Sequence, residues 1–160
     1  MIRVQPQDFD VGAEIAALTR DRHGIGGVVS FVGLVRDMAP VAGTDTKIGA
    51  MTLEHYPGMT EKQLSAIEDE ANGRWPLEAS LIVHRYGRLE PGARIVLVVC
   101  AAAHRQDAFD ACNFLIDWLK TKAPFWKLEE TGDAGHWVAA RDGDDAAAAR
   151  WQAPKDDAAE

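Results

Sequence analysis

The sequence predicts a single-domain α+β fold, in which helices cover a mixed or largely antiparallel sheet. The chain has 160 residues, of which 47% are hydrophobic, and this is enough for one sizeable core. Strand-like and helix-like segments alternate in an order that mixes βαβ-like stretches with a hairpin. No internal repeat or linker divides the chain. We therefore expect one domain over residues 1–141, followed by an acidic, alanine-rich tail over residues 142–160 that is partly disordered.

The first third of the chain predicts a helix, a strand and a loop. Asp10 precedes apolar residues at Val11, Ile15 and Leu18, a spacing typical of a short amphipathic helix with an aspartate N-cap. Residues 26–36 are β-branched and apolar enough to form a buried strand. Residues 37–49 are rich in Gly, Pro, Asp and Thr without periodicity, which indicates a mobile loop.

A second strand and helix follow at residues 50–74. The segment AMTLEHY predicts a strand over residues 50–56. Thr60 and Gln63 fit a T-x-x-Q capping box, and Met59 and Leu64 occupy the positions of a hydrophobic staple. We expect the helix itself over residues 61–74.

The second half predicts a hairpin, a long helix and two short strands. Two apolar segments at residues 79–87 and 93–102 flank the sequence RLEPGA, whose Pro-Gly pair indicates a turn. Apolar residues recur every three or four positions between 106 and 122, which predicts a helix that ends before Pro124. FWKLEE and HWVAA are typical of short strands.

The acidic composition excludes several classes of function. The formal net charge is −8, whereas binding to nucleic acid or an anionic membrane requires a basic surface. No apolar run approaches the ~20 residues that span a bilayer, and the first residues lack signal-peptide features, so we expect a cytoplasmic protein. Cys100 and Cys112 lack the spacing of a zinc or redox motif, and we expect both to be core thiols. No motif for a metal or a bound cofactor is found, and we expect neither.

The segment KTKAPFWK, residues 120–127, departs most strongly from this acidic composition, because it holds three lysines and no acid. Lys120 has a structural explanation, since a cation in the last helical turn favours the helix dipole and can pair with Asp117. Strand alternation places Lys127 on one face with Phe125 and Glu129. Such a lysine is suited to holding a phosphate, or to acid-base chemistry if desolvation lowers its pKa. A weak surface pair with Glu129 is the alternative.

Other basic residues stand at the predicted ends of strands. Arg36 ends a strand, and His104 and Arg105 stand between a strand and a helix, where anions are often bound. Arg36 has the alternative of a solvated surface arginine, and His104 that of a cap or a hydrogen-bonded structural residue. For His84 and Arg85 we expect structural roles. The pattern thus indicates a cation cluster that suits a small anion, and it does not name a reaction.

At these residues the sequence resembles the MoaE family, the large catalytic subunits of molybdopterin synthase. FVGLVRD, LEHYPGMTEKQL, HRYGRLEPG, AHRQDAF, WLKTKAPFWKLEE and WVAAR occur in the order and at the spacing of that family. The resemblance implies an α+β fold with a hammerhead-like subdomain and a homodimer that binds two ubiquitin-like small subunits, forming a heterotetramer. It also implies sulfur transfer from the C-terminal Gly-Gly thiocarboxylate of the small subunit to cyclic pyranopterin monophosphate, which creates the dithiolene of molybdopterin.

The resemblance also assigns roles to residues of the matching blocks. It implies that Lys120 and Lys127 are catalytic. It implies that the substrate is bound by a set of residues spread over the chain: Leu34, Val35, Arg36, His104, Arg105, Lys120, Lys127, Leu128, Glu129 and Arg141. The chain departs from the family at residues 101–103 and at residue 93, where alanines replace frequent polar or acidic residues, but none of these positions is assigned to binding.

Our mechanistic hypothesis is that Arg36, His104 and Arg105 together hold the phosphate, because guanidinium groups bind phosphate oxygens in a bidentate way. Lys120 and Lys127 would neutralise the thiocarboxylate and the oxyanion that forms as the acyl intermediate breaks down. One rival is a non-enzymatic adaptor that binds the tail of a ubiquitin-like protein. A second is a Schiff-base lysine enzyme, which would be trapped by borohydride.

Overall fold

The computed structural model describes residues 1–37, 49–131, 134–138 and 149–151. Its elements are, in chain order, β1 (Ile2–Gln5), α1 (Val11–Thr19), β2 (Gly27–Leu34), β3 (Ala50–His55), α2 (Met59–Arg74), β4 (Leu77–Arg85), β5 (Gly87–Leu89), β6 (Arg94–Ala102), α3 (Arg105–Thr121), β7 (Phe125–Thr131) and β8 (Ala134–Val138). The predicted α+β class with mixed and antiparallel sheets is confirmed. Most of the predicted mobile loop and most of the predicted tail lie outside the described residues. None of the helices within those residues is long and apolar enough to cross a membrane.

The first sheet has the strand order β1-β4-β6-β2 and is covered on both faces. β1 runs parallel to β4, and the other neighbours are antiparallel. One face, with Ile82 and Val98, packs against α2 and α3, and the other, with Leu81 and Val99, packs against α1 and Phe9. Because both faces are buried, β4 and β6 read as continuous apolar runs rather than as alternating ones.

The predicted core thiols are confirmed. Cys100 on β6 and Cys112 on α3 are both buried in the cluster between the first sheet and the two long helices. The largest fully buried side chain of that cluster is Phe114 of α3. A buried side chain of this size contributes about 1.5–3 kcal/mol through the hydrophobic effect, which explains why α3 is fixed firmly to the sheet.

The second sheet has the order β5-β3-β7-β8 and is antiparallel throughout. Among the described side chains at this sheet, Val35, Met51, Leu53 and Leu89 form a buried cluster. Val35 directly follows β2 of the first sheet, and its backbone exchanges hydrogen bonds with the turn before β6, from its N–H to the Ala93 carbonyl and from the Gly92 N–H to its own carbonyl. The end of β2 therefore joins the two sheets.

The predicted hairpin between residues 79–87 and 93–102 is confirmed as the antiparallel pair of β4 and β6. The connection between the strands is more than a turn, because β5 leaves the first sheet and pairs with β3 in the second. Gly87 and Gly92 bracket this excursion with φ angles of +90° and +84°. This left-handed region favours glycine, since other residues clash there.

Two helix starts show how well local signals predict caps. Asp10 caps α1 as predicted, its Oδ1 accepting from the Ala13 N–H at 2.7 Å. The predicted capping box at Thr60 and Gln63 is wrong, because α2 begins at Met59 and the Glu61 carboxylate accepts from the Gly58 N–H at 2.6 Å. The buried Thr60 hydroxyl instead accepts from the Tyr56 N–H at 3.1 Å and donates to the Pro124 carbonyl at 3.4 Å. Thr60 thus links the start of α2 to the start of β7.

Part of the predicted tail packs on the helices. The Trp151 ring lies edge-on to Trp75 and Phe114, at centroid distances of 5.7 and 5.6 Å. Its indole N–H donates to the Asp117 carboxylate at 2.7 Å, and Arg74 donates to its carbonyl at 2.9 Å. Trp151 therefore ties its segment to α2 and α3, while the division of the chain at residue 141 stays a prediction.

Candidate functional site

The predicted catalytic residue Lys127 lies on β7, an inner strand of the second sheet. Its backbone stands opposite Leu53 on β3 and Val138 on β8. Its side chain is half-buried. Position on an inner strand with neighbours on both sides holds the backbone firmly, so that the direction in which the Lys127 side chain leaves the sheet is fixed.

Lys120 stands seven positions earlier, in the last turn of α3, and its side chain is exposed. The helix ends at Thr121, and a tight turn at Pro124, in which the Phe125 N–H donates to the Ala123 carbonyl at 2.8 Å, starts β7. The ammonium of Lys122 lies 3.7 Å from the centroid of the Trp118 ring in a cation–π contact.

Two histidines lie near the start of the strand that carries Lys127. The His84 ring is stacked on Phe125 at a centroid distance of 3.6 Å and an interplanar angle of 14°. The His55 ring lies 4.3 Å from Tyr86 and 6.5 Å from Phe125. The pKa of His84 is lowered to about 4, mainly because burial disfavours the charged ring, and also because of the nearby charges of His55 and Lys127. Its hydrogen bond to the Arg85 carbonyl opposes that shift.

His104 and Arg105 lie together, as predicted, at the junction of β6 and α3. His104 is the N-cap residue and Arg105 opens the helix, and both side chains are exposed. The start of β2 lies against this junction, since the Gly26 N–H donates to the Ala102 carbonyl at 3.0 Å. A Cβ at Gly26 would meet the Ala103 carbonyl oxygen at 2.2 Å, so only glycine allows this approach.

Arg36 lies just beyond the opposite end of β2, where Leu34 is exposed and Val35 is buried. Gly27 pairs with Ala102 and Leu34 with Arg94, so the strand separates Arg36 from His104. At about 3.3 Å per residue this separation is roughly 23 Å. A single chain therefore does not bring together the three residues expected to hold the phosphate.

The described cations among the predicted site residues fall into two groups. Val35 and Leu53, the register partner of Lys127, belong to one buried cluster, so Arg36 lies at the end of the molecule that carries Lys127. α3 separates Lys120 from Arg105 by 15 positions, which at 1.5 Å per residue is about 22 Å. One end of the folded molecule thus carries Arg36, Lys120 and Lys127, and the opposite end carries His104 and Arg105.

The remaining predicted residues are only partly described. Leu128 pairs with Thr52 and Trp137, on the face of the sheet opposite to Lys127, and its side chain is half-buried. The backbone of Glu129 pairs with Met51 and His136. Arg141 lies outside the described residues. Within the described part of the chain, no group of three or more His, Cys, Asp and Glu side chains converges as a metal site would require.

Two histidines near the strand of Lys127, His55 and His84, are not among the predicted site residues. The structural role expected for His84 stays a prediction. No local signal in the sequence points to this arrangement, because the approach of both rings to Phe125 depends on the pairing of distant strands.

Comparisons with known proteins identify the family. The family model described as MoaE protein matches residues 4–122. A molybdopterin synthase catalytic subunit of Pseudomonas aeruginosa is 57% identical over 94% of this chain and 98% of its own length. The structure of a molybdopterin biosynthesis MoaE protein from Burkholderia ambifaria is 52% identical with a TM-score of 0.80, covering 96% of this chain and 99% of that one.

A more distant structure supports the same conclusion. Molybdopterin synthase from Staphylococcus aureus is 30% identical with a TM-score of 0.77, over 86% of this chain and 96% of that one. The predicted family and the predicted class of enzyme, a sulfur-transferring catalytic subunit, are confirmed by these relatives. The chain, with its lysine-bearing second sheet, therefore belongs to the MoaE family.

Proposed function

We propose that this chain transfers sulfur from the C-terminal thiocarboxylate of a ubiquitin-like small subunit to cyclic pyranopterin monophosphate, forming the dithiolene of molybdopterin. Membership of the MoaE family supports the reaction, and a relative named as a catalytic subunit supports the existence of a further subunit. We place the reaction in the cytoplasm, as the sequence predicts.

The observation that carries this proposal is the position of Lys127. It is a half-buried cation on an inner strand, beside a buried imidazole whose low pKa keeps that ring neutral at physiological pH. A partly desolvated ammonium stabilises a nearby thiocarboxylate or oxyanion more strongly than a solvated one, because the local dielectric constant is lower. Lys120, at the adjoining end of α3, adds a second positive charge for the same anions.

We further propose that each complete site is shared by two chains of a homodimer. One end of the folded molecule carries Arg36, Lys120 and Lys127, and the other end carries His104 and Arg105. The two groups are roughly 20 Å apart, which is too far for them to hold one small phosphate ester together. A second copy that supplies His104 and Arg105 to the lysines of the first would complete the site. β2 offers a surface for such pairing, because it is an edge strand with exposed Val28 and Leu34.

The experiment is molybdopterin formation from cyclic pyranopterin monophosphate and a thiocarboxylated small subunit, with purified chains. Lys127→Ala and His104→Ala should each be nearly inactive. When the two variants are mixed and allowed to exchange subunits, mixed dimers regain one intact site, and activity should return to about a quarter of the wild-type value. No recovery after exchange would contradict the shared site, and inactive wild-type protein would contradict the reaction itself.

The same preparation tests the rivals. A non-enzymatic adaptor would bind the small subunit but would not bind the pterin phosphate. A Schiff-base enzyme would be trapped on Lys120 or Lys127 by borohydride with a carbonyl substrate.

A further inference from the structure

A stacked pair of rings joins the two sheets at the strand that carries Lys127. His84 is the penultimate residue of β4 in the first sheet, and Phe125 is the first residue of β7 in the second. Their rings lie nearly parallel, 14° apart in plane, with centroids 3.6 Å apart. His84 is 9% exposed, so the contact is almost completely shielded from water.

The His84 ring is held in one orientation. Its Nδ1 lies 2.9 Å from the Arg85 carbonyl oxygen, and since a carbonyl can only accept, Nδ1 carries the hydrogen. Burial and the nearby positive charge of Lys127 both disfavour a second proton, which explains why the pKa of His84 is lowered to about 4. At physiological pH the ring is therefore neutral, flat and fixed by a hydrogen bond.

The position of Phe125 at the start of β7 affects the position of Lys127, two residues further along the strand. Phe125 follows the Pro124 turn directly and shares a strand face with Lys127, two residues further on. The contacts that hold this corner come from elements outside β7: the Thr60 hydroxyl on the Pro124 carbonyl, His55 opposite Phe125 in the ladder, and the His84 ring. Of these three, only the His84 ring comes from the first sheet.

We propose that His84 is a positioning residue for sulfur transfer, whose stacked ring seats Phe125 against the first sheet and thereby holds Lys127 at the reacting centre. This inference rests on the proposed function. It differs from a role in core packing, because it requires the flat ring rather than the buried volume. A displacement of the reacting groups by ~1 Å can cost about a hundredfold in rate, so a small shift of this corner is enough to matter.

Two substitutions at His84 separate the ring from its volume. His84→Phe keeps a flat ring against Phe125, and His84→Leu keeps apolar volume but cannot stack. Ile82→Ala is the matched control for lost stability, because Ile82 is fully buried on the same strand and packs in the cluster between the first sheet and the helices α2 and α3. All three are assayed for molybdopterin formation at a temperature at which melting curves show them folded.

We expect His84→Leu to lower kcat by about tenfold or more, with KM for the pterin phosphate changed by less than about twofold. His84→Phe should stay within about threefold of the wild-type kcat. Ile82→Ala should lose stability but keep its kcat. The positioning role would be overturned if His84→Leu and His84→Phe lost kcat equally. It would also be overturned if Ile82→Ala lost as much kcat as His84→Leu.

A second readout is independent of activity. Lysines are reductively dimethylated with ¹³C-formaldehyde and a borohydride-type reductant, and the Lys127 resonance is assigned by its absence in Lys127→Arg. It should move in His84→Leu and keep its wild-type position in Ile82→Ala. A Lys127 resonance that does not move in His84→Leu overturns the inference even if the enzyme is active. If the resonance does move but the wild-type protein has no synthase activity, only the proposed function is overturned.

Discussion

Acidification should destabilise this protein through His84 in a defined pH window. The pKa of His84 is lowered from 6.5 to about 4 in the folded chain, first by burial and then by the charges of His55 and Lys127. Between these two pH values the unfolded chain takes up a proton at His84 and the folded chain does not. Stability contributed by the neutral ring is therefore fully present above pH 6.5 and is lost as the pH falls towards 4.

The magnitude follows from the difference between the two pKa values. One pKa unit corresponds to 1.36 kcal/mol, so the free energy of unfolding should fall by about 2 kcal/mol between pH 7 and pH 5, and by about 3 kcal/mol at pH 4. A domain of this kind has a total stability of only about 5–15 kcal/mol, so the effect is large. Asp8 acts in a lower window, because its pKa is lowered to about 2, chiefly by its hydrogen bond with Arg94, and its contribution is lost only as the pH falls through that value.

The assay is urea unfolding at fixed protein concentration at pH 7, 6 and 5, on the wild type and on His84→Phe. The groups that face His84 are His55 of β3, whose Nε2 lies 3.7 Å from Glu61, and Lys127 of β7. Both remain in the variant, so the difference between the two proteins isolates His84. The wild type should lose about 2 kcal/mol more than the variant between pH 7 and 5. Parallel curves for the two proteins would refute the reasoning.

Three further outcomes are expected. Lys127→Ala should keep its melting temperature and small-subunit binding but lose nearly all molybdopterin formation, whereas Lys122→Ala should lose at most a fewfold; equal losses would contradict the separate roles of these lysines. Removal of residues 154–160 should leave activity intact, but Trp151→Ala should lower the free energy of unfolding by about 2 kcal/mol in urea titrations, because its ring packs on two helices. Arg36→Ala should raise KM for the pterin phosphate far more than it weakens small-subunit binding by calorimetry, and the reverse order would remove Arg36 from the phosphate site.

Elements with strong local signals were predicted well from the sequence. The aspartate cap of α1, the apolar spacing of α3 and the continuous apolar run of β6 all lie where the pattern placed them, within one or two residues. β1 and β5 were missed, because strands of four and three residues are too short to show a period. The division into two sheets was also missed, since it depends on which distant strands β3 and β5 choose as partners.

The candidate site was predictable as residue types and not as a geometry. The lysines of the KTKAPFWK segment stand out by charge alone, and the structure places them on the helix end and strand that the pattern indicated. The sequence could not show that α3 carries Lys120 away from Arg105, because distance along a helix appears only when the helix boundaries are known. Nor could it identify His84, whose lowered pKa results from burial against a ring 41 positions away in the sequence.

Contacts between the two sheets hold the strand that carries Lys127. The first sheet has buried clusters on both faces, and among the described side chains at the second sheet Val35, Met51, Leu53 and Leu89 form a buried cluster. The second sheet carries Lys127, whose proposed reaction requires a fixed position. Two contacts tie the start of that strand to the first sheet and its helices, the His84 ring on Phe125 and the Thr60 hydroxyl on the Pro124 carbonyl, so we expect substitutions at these contacts to disturb catalysis before they disturb folding.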